Sequence, residues 1–324
     1  MKKFLIIQTA FIGDVILATP LIENLIEKFP DSKIDFLLKK GNESLLFNNP
    51  GLNQVFVFDK SKKIKSLTGI IKKIRLQNYD AVFNLHRFAS SGIITLLSGA
   101  KQKFGFNKNP FSFLYTKSFP HEIGNGVHEV ERNLQVISSF GKFSKSHPKL
   151  YPSPEDEENV SRFKGVTYVC MAPSSVWYTK QMPENKWTEL IHIIKNDVER
   201  IYLIGGPADF DLCERIKNKC QVFSIYNLAG KLNFLESAGL MRDAKMNFVN
   251  DSGPLHFASA VNASVTAFFC STIPAFGFGP LSDKSEVIEV KNLSCKPCGL
   301  HGHNICPKVH FDCGNLLDLS KIKL

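Results

Sequence analysis

The sequence predicts an α/β protein built from two Rossmann-like halves with mainly parallel sheets. Three observations carry this. Short apolar runs alternate with segments of helical periodicity along nearly the whole chain, the pattern of βα units. The alternation is interrupted between residues 141 and 165, where Pro and Ser gather and the charge reverses. Several apolar runs end in turns carrying Gly, Asp or Ser before a helix, the corner where open α/β sheets bind ligands.

In the first half, strands are expected at residues 4–8, 34–38, 55–58 and 81–85, with helices at 14–29, 64–77 and 128–140. Pro20 lies inside the first of these helices and implies a kink, or a fresh start capped by Thr19. The break at 141–165 contains Tyr151-Pro-Ser-Pro and then Glu155-Asp156-Glu157-Glu158, an acidic helix start. Beyond it, strands are expected at 166–171, 201–204, 246–249 and 264–269, and helices at 184–196, 210–219 and 234–243. The expected domains are residues 1–150 and 151–324, and two such sheets would face a central cleft.

The charge is unequally shared. Residues 1–150 hold 22 Lys and Arg against 11 Asp and Glu, whereas residues 151–324 hold 18 against 19. Blocks such as Lys60-Ser61-Lys62-Lys63-Ile64-Lys65 point to an anionic partner, either an acidic substrate or a membrane surface; a merely solvated basic face is the plainer alternative. No RNA-binding signature or aromatic platform accompanies the lysines, so no nucleic-acid partner is expected. No apolar stretch approaches the roughly 20 residues needed to cross a bilayer. The apolar run after Met1 is short and broken by Gln8 and Asp14, so it reads as a strand rather than a signal peptide. A cytoplasmic protein with reduced cysteines is the expectation.

Phe11-Ile12-Gly13-Asp14-Val15-Ile16 follows the first run, with Gly13 expected to turn the backbone. A phosphate loop would place glycines and a lysine here, so that N–H groups and a cation meet anions. One glycine and a carboxylate instead suit the acceptance of a proton. Asp at a helix start is also a common cap. The positive end of the helix should lower the pKa of Asp14, leaving a weak base that relies on positioning.

Three segments of the second half resemble binding turns. Ser174, Ser175 and Lys180 occupy a loop after a strand, where hydroxyls and an ammonium meet phosphate oxygens; a plain loop is the alternative. Ile204-Gly205-Gly206-Pro207-Ala208-Asp209 ends the next strand, and its glycines permit close approach of a ligand, with Asp209 or Asp211 beside it. Asn250-Asp251-Ser252-Gly253-Pro254-Leu255-His256 puts Pro254 at the first helical position and aims free N–H groups outward, a seat for a pyrophosphate. Asp251 would be repelled by phosphate and suits sugar hydroxyls, and His256 either packs in the helix or donates to phosphate.

Gly13-Asp14-Val15-Ile16-Leu17-Ala18-Thr19-Pro20, the Ser-Ser…Lys…Pro loop, the Gly-Gly-Pro turn and Asn-Asp-Ser-Gly-Pro-Leu-His together resemble glycosyltransferase family 9, the heptosyltransferases of lipopolysaccharide core synthesis. The resemblance spans nearly the whole chain. It implies a GT-B fold, with an N-terminal acceptor-binding domain and a C-terminal nucleotide-sugar-binding domain. It implies inverting transfer of heptose from ADP-heptose to an anionic lipopolysaccharide core acceptor, with no metal or other cofactor required. On this resemblance Asp14 is the catalytic base and Lys180 the phosphate-binding lysine, with Ser174 and Ser175 beside it. Asp251 is the sugar aspartate, Ser252, Gly253 and His256 form the phosphate turn, and Asp209 is the acid after the Gly-Gly turn. Gly13, His86 and Arg87 are expected at the acceptor, and the basic half at the inner-membrane surface. Another nucleotide-sugar enzyme on this fold, or a non-catalytic zinc-bearing surface-binding protein, is the competing reading.

Cys295, Cys298, Cys306 and Cys313 have spacings that suit a structural zinc site, or else are reduced thiols. Cys170, Cys213, Cys220 and Cys270 fall in apolar or helical contexts and are expected in the core.

Overall fold

The computed structural model describes residues 1–222 and 224–324, and of Lys62 and Lys63 the backbone alone. The side chains of those two lysines of the basic block therefore lie outside the described residues. The chain divides into two compact units, one of residues 1–123 and 127–151, the other of residues 124–126 and 152–324.

The first unit runs β1 (Lys3–Ile7), α1 (Ile12–Ile16), α2 (Thr19–Lys28), β2 (Lys33–Lys39), β3 (Gln54–Phe58), α3 (Lys63–Arg75), β4 (Ala81–Asn84), α4 (Ala89–Leu97), β5 (Gln102–Phe106), β6 (Lys117–Phe119) and α5 (Glu129–Ile137). Its six strands form a parallel sheet in the order β3-β2-β1-β4-β5-β6. Phe4 of β1 lies opposite Ile34 on one side and Ala81 on the other. Parallel strands are covered on both faces, which is why Phe4, Leu5, Ile6 and Ile7 are all apolar and fully buried. Leu5, Ile7, Leu37, Phe56 and Val82 pack on Ile70 and Ile74 of α3. On the other face, Phe4, Phe83 and Phe104 meet Phe140 with ring centroids 5.4–5.6 Å apart, at near-perpendicular angles favoured by aromatic quadrupoles.

The helix expected at 14–29 is two helices. The chain breaks at Leu17 and Ala18 and restarts with Pro20 in the first turn of α2, where its missing N–H costs nothing. Thr19 does not cap this restart. Its hydroxyl donates to the carbonyl of Ile16 at 2.8 Å, while Nδ2 of the buried Asn133 donates to the carbonyl of Leu17 at 3.1 Å. The break thus frees carbonyls that side chains satisfy.

The second unit runs α6 (Pro154–Ser161), β7 (Tyr168–Ala172), α7 (Glu184–Ile194), β8 (Arg200–Leu203), α8 (Phe210–Cys220), β9 (Ile225–Asn227), α9 (Phe234–Arg242), β10 (Met246–Asn250), α10 (Gly253–Ala260), β11 (Val265–Phe269), β12 (Ser285–Glu289) and α11 (Asp312–Asn315). The acidic start of α6 is a full capping box. Ser153 Oγ accepts from the Asp156 N–H at 3.1 Å, and Asp156 accepts from the Ser153 N–H at 2.8 Å. The parallel sheet has the order β12-β11-β10-β7-β8-β9. Counted from each unit's own first strand, both sheets read 3-2-1-4-5-6, so each reverses direction beside its first strand. The core gathers Trp187, Leu190, Phe248 and Phe268, and the buried Cys170, Cys213, Cys220 and Cys270 belong to the interior as expected. Among the described residues, no helix is long and apolar enough to cross a membrane.

Candidate active site

The two sheet reversals hold the residues singled out by their motifs. In the first unit the reversal lies at the carboxyl ends of β1 and β4. Asp14 is the third residue of α1 and accepts from the Phe11 N–H at 3.1 Å, so it does cap the helix. Its pKa is nonetheless not lowered by the helix end. Burial, and then the negative charge of Glu129, push it up to about 6, against the opposing pull of the Phe11 and Asp14 backbone N–H groups and of Lys39. Desolvation outweighs the dipole, and the carboxylate is a stronger base than the sequence suggests. Gly13 does not turn the chain; it is the second residue of α1, and its carbonyl accepts from the Leu17 N–H at 2.9 Å.

His86 and Arg87 follow β4 and behave differently from each other. Arg87 is exposed. His86 is buried, its Nδ1 is 3.1 Å from the Thr9 hydroxyl, and burial, then Lys60, Arg87 and Lys39, lower its pKa to about 3. It is a neutral imidazole at physiological pH, so any contact with an anionic group is a hydrogen bond rather than an ion pair. Lys60, from the basic block, donates to the Thr9 carbonyl at 2.6 Å and so holds the loop between β1 and α1.

In the second unit the reversal lies at the ends of β7 and β10. Lys180 stands in a short 3₁₀ turn, Tyr178–Lys180, and its ammonium lies 2.7 Å from Asp251 Oδ2. Asp251 Oδ2 also accepts from the Thr272 hydroxyl at 2.6 Å. Ser252 precedes α10 and Gly253 opens it; Pro254 is therefore second in the helix, not first. His256 is buried within α10. Ser174 donates to Asp209 Oδ1 at 2.6 Å, and the Gly206 N–H donates to Oδ2 of the same carboxylate at 2.7 Å. This makes Asp209, rather than Asp211, the acid tied to the phosphate-type loop. Ser175 is held through its carbonyl, which accepts from Gln181 Nε2 at 2.6 Å.

The four tail thiols are close enough for each other's charge to matter. Cys298 is raised by burial, then by Cys295 and Cys306, and Cys313 is raised to about 11 by burial and then mainly by its fellow cysteines. Among the described residues, no group of three or more His, Cys, Asp or Glu side chains is placed to hold a metal ion, so nothing here supports the expected zinc site. Cys298 Sγ instead donates to the Cys295 carbonyl at 2.9 Å.

The model of glycosyltransferase family 9 (heptosyltransferase) matches residues 67–309. The chain belongs to glycosyltransferase family 9. It is 30% identical over 285 residues to lipopolysaccharide heptosyltransferase 3 of Escherichia coli K12, covering 82% of this chain and 81% of that protein. The solved structure of E. coli ADP-heptose lps heptosyltransferase II matches with a TM-score of 0.79 at 20% identity, over 98% of both chains. E. coli heptosyltransferase WaaC with ADP matches with a TM-score of 0.75 at 18% identity, over 88% of this chain and 92% of that one. The fold class is thus that of the GT-B heptosyltransferases, and the protein is a glycosyltransferase.

For this family 9 enzyme, the motifs identify turn residues but not the groups that hold them. Asn250 accepts from the Met182 N–H at 2.9 Å and donates to the Pro173 carbonyl at 2.8 Å, clamping both ends of the lysine loop to β10. Glu129 is kept ionised beside Asp14. Burial works to raise its pKa, but His121 at 3.1 Å and Arg132 at 2.7 Å outweigh this and the net shift is downward. A charged residue opening a helix signals only a favourable dipole interaction in sequence, so neither role was legible. Trp187 and Met182 are core residues.

Proposed function

We propose that this chain transfers heptose from ADP-heptose to an anionic lipopolysaccharide core acceptor, with inversion and without a catalytic metal. Asp14 takes the proton of the acceptor hydroxyl as its oxygen attacks the anomeric carbon. General-base assistance of this kind is worth about 10²–10⁴ in rate, and a carboxyl near pH 6 is well matched to it. A single displacement inverts the centre, since retention would require a second displacement through an enzyme nucleophile. Lys180 and the N–H groups at the start of α10 neutralise the charge that gathers on the departing diphosphate. For that, Lys180 moves from Asp251 to phosphate, and Asp251 is released to accept from sugar hydroxyls. Ser174, Ser175 and Asp209 complete the donor site; Gly13, His86 and Arg87 flank the acceptor. The basic composition of the first half suits an acceptor and an inner-membrane surface that are both anionic, on the cytoplasmic side.

The observation that carries this reading is the Lys180 ammonium 2.7 Å from Asp251 beside the start of α10, in a chain that belongs to glycosyltransferase family 9; the raised pKa of Asp14 agrees with its part in it. The relative solved with ADP supports an adenosine diphosphate donor. The test is Asp14→Asn, which keeps the acceptor of the Phe11 N–H but not the base. Transfer, read by mass spectrometry of the acceptor lipid, should fall about 10²–10⁴-fold, while ADP binding by calorimetry stays within twofold. Wild-type transfer by the variant would refute the base. Tight binding of UDP with none of ADP would refute the donor.

A further inference from the structure

Residues 290–311, between β12 and α11, contain no helix or strand, yet this segment is stitched to the floor of the donor site. The Lys296 ammonium is nearly buried, donates to the carbonyl of Phe269 at the end of β11 at 2.9 Å, and pairs with Glu289 at 2.8 Å. The Cys298 N–H donates to the Ser271 carbonyl at 2.8 Å. His303 and Thr179 then pair in both directions: the Thr179 N–H donates to the His303 carbonyl at 3.0 Å, and the His303 N–H to the Thr179 hydroxyl at 2.8 Å. The Thr179 and Ser271 hydroxyls lie 3.0 Å apart, and both residues are fully enclosed.

Gly302 closes this stack at φ +76°, and a Cβ there would lie 2.9 Å from both hydroxyls and 3.1 Å from Cγ of Lys180. The backbone at 302 therefore rests directly on the stem of the lysine. Such support matters because the turn carrying Lys180 is only three residues long. Its orientation has to come from outside, since a free lysine side chain loses rotamer entropy when it is fixed.

We propose that Gly302 and His303 are positioning residues for Lys180: the tail grips Thr179 and confines the lysine stem, so that the ammonium is aimed before the donor arrives. This rests on the reading of Lys180 as the ligand of the donor's diphosphate. The tail then belongs to the donor site through its backbone, whatever the state of its thiols.

Calorimetric titration of ADP and of adenosine into the full chain tests this with wild type, Thr179→Val, Thr179→Ser, Lys180→Ala and the double variant Lys180→Ala/Thr179→Val. Valine removes the hydroxyl that receives the His303 N–H, and serine keeps it. Thr179→Val should weaken ADP roughly tenfold, the size of coupling between contacting residues, and leave adenosine unchanged. Thr179→Ser should bind ADP within twofold of wild type, and Thr179→Val should cost nothing further once Lys180 is absent. Gly302→Ala, whose methyl would press on the lysine stem and on the Thr179 and Ser271 hydroxyls while leaving both hydroxyls in place, should show the same ADP-selective loss and serves if the valine variant does not fold. Equal weakening of ADP and adenosine, or an undiminished loss in the Lys180→Ala background, overturns the tail's role alone. If Lys180→Ala binds ADP as wild type does, the reading of Lys180 falls, and the tail's role with it.

Discussion

The two units share a strand order and differ in what stands where that order reverses. In the first, an acid and a neutral histidine face Lys39, Lys60 and Arg87, and the acid's proton is held to about pH 6. In the second, the lysine is already paired with an aspartate at 2.7 Å beside the start of an eight-residue helix. Topology therefore fixes where a ligand meets each sheet but not what it meets. On the proposed reading, one reversal takes a proton and the other releases a diphosphate. Nearly the same few residue types serve both, and their neighbours decide the chemistry.

The comparison breaks most visibly at Lys180. Lys180→Ala should lower kcat/KM by about 10²–10³, the range for losing a group that stabilises developing negative charge. Its acid limb should stay where wild type has it, with half of full activity near pH 6, because that limb belongs to Asp14 in the other unit. A limb that moves with Lys180 would show that the two reversals do not divide the chemistry. Glu129→Gln probes the first unit in turn. Removing its charge takes away the second-largest influence raising Asp14. The acid limb of kcat/KM should move to lower pH, and the rate at pH 8 should fall a few-fold because a weaker base is left. An unmoved limb would mean that burial alone sets the basicity.

How much of this was legible in the sequence follows the same division. Strands buried on both faces, such as Phe4-Leu5-Ile6-Ile7, announce themselves because parallel sheets demand unbroken apolar runs. The interior β5, Gln-Lys-Phe-Gly-Phe, does not, because Lys103 and Gly105 break its apolar run, and neither do the edge strands β6, β9 and β12. Strands β6 and β9 have three residues each, and β12 is Ser-Glu-Val-Ile-Glu, extended because it pairs with β11. The turns themselves were legible because their signals are local: Asp14 lies in the first turn of the helix after β1, Lys180 in the 3₁₀ turn after β7, and Asp251 directly after β10. Their supports were not, because they come from far along the chain. Lys60 reaches Thr9 across 51 positions, Asn250 reaches Met182 across 68, and His303 reaches Thr179 across 124. The pKa of Asp14 departs from the local expectation for the same reason: the dipole is local and readable, whereas burial and Glu129 are supplied by tertiary structure.

The smallest expected effect is on stability, and it separates the two reversals without any substrate. The folded state holds the Asp14 proton up to about pH 6, while the ordinary value is 3.8. Between these values the unfolded chain loses that proton first. Folding is thus progressively disfavoured as pH rises through this window, and the whole penalty is present above it. Asparagine mimics the protonated acid and keeps the cap to Phe11, so Asp14→Asn should be more stable than wild type at pH 7.5, by about 1–2 kcal/mol after allowance for partial solvation. The gain should vanish near pH 3.5, where both chains are neutral at this site. Urea titrations at the two pH values measure it. A variant that loses activity and gains stability only at neutral pH would mark the first reversal as one where burial of a charge is retained for reaction. A variant equally stable at both pH values would mean that Asp14 is solvated in the folded protein, and the contrast with the ion-paired second reversal would collapse.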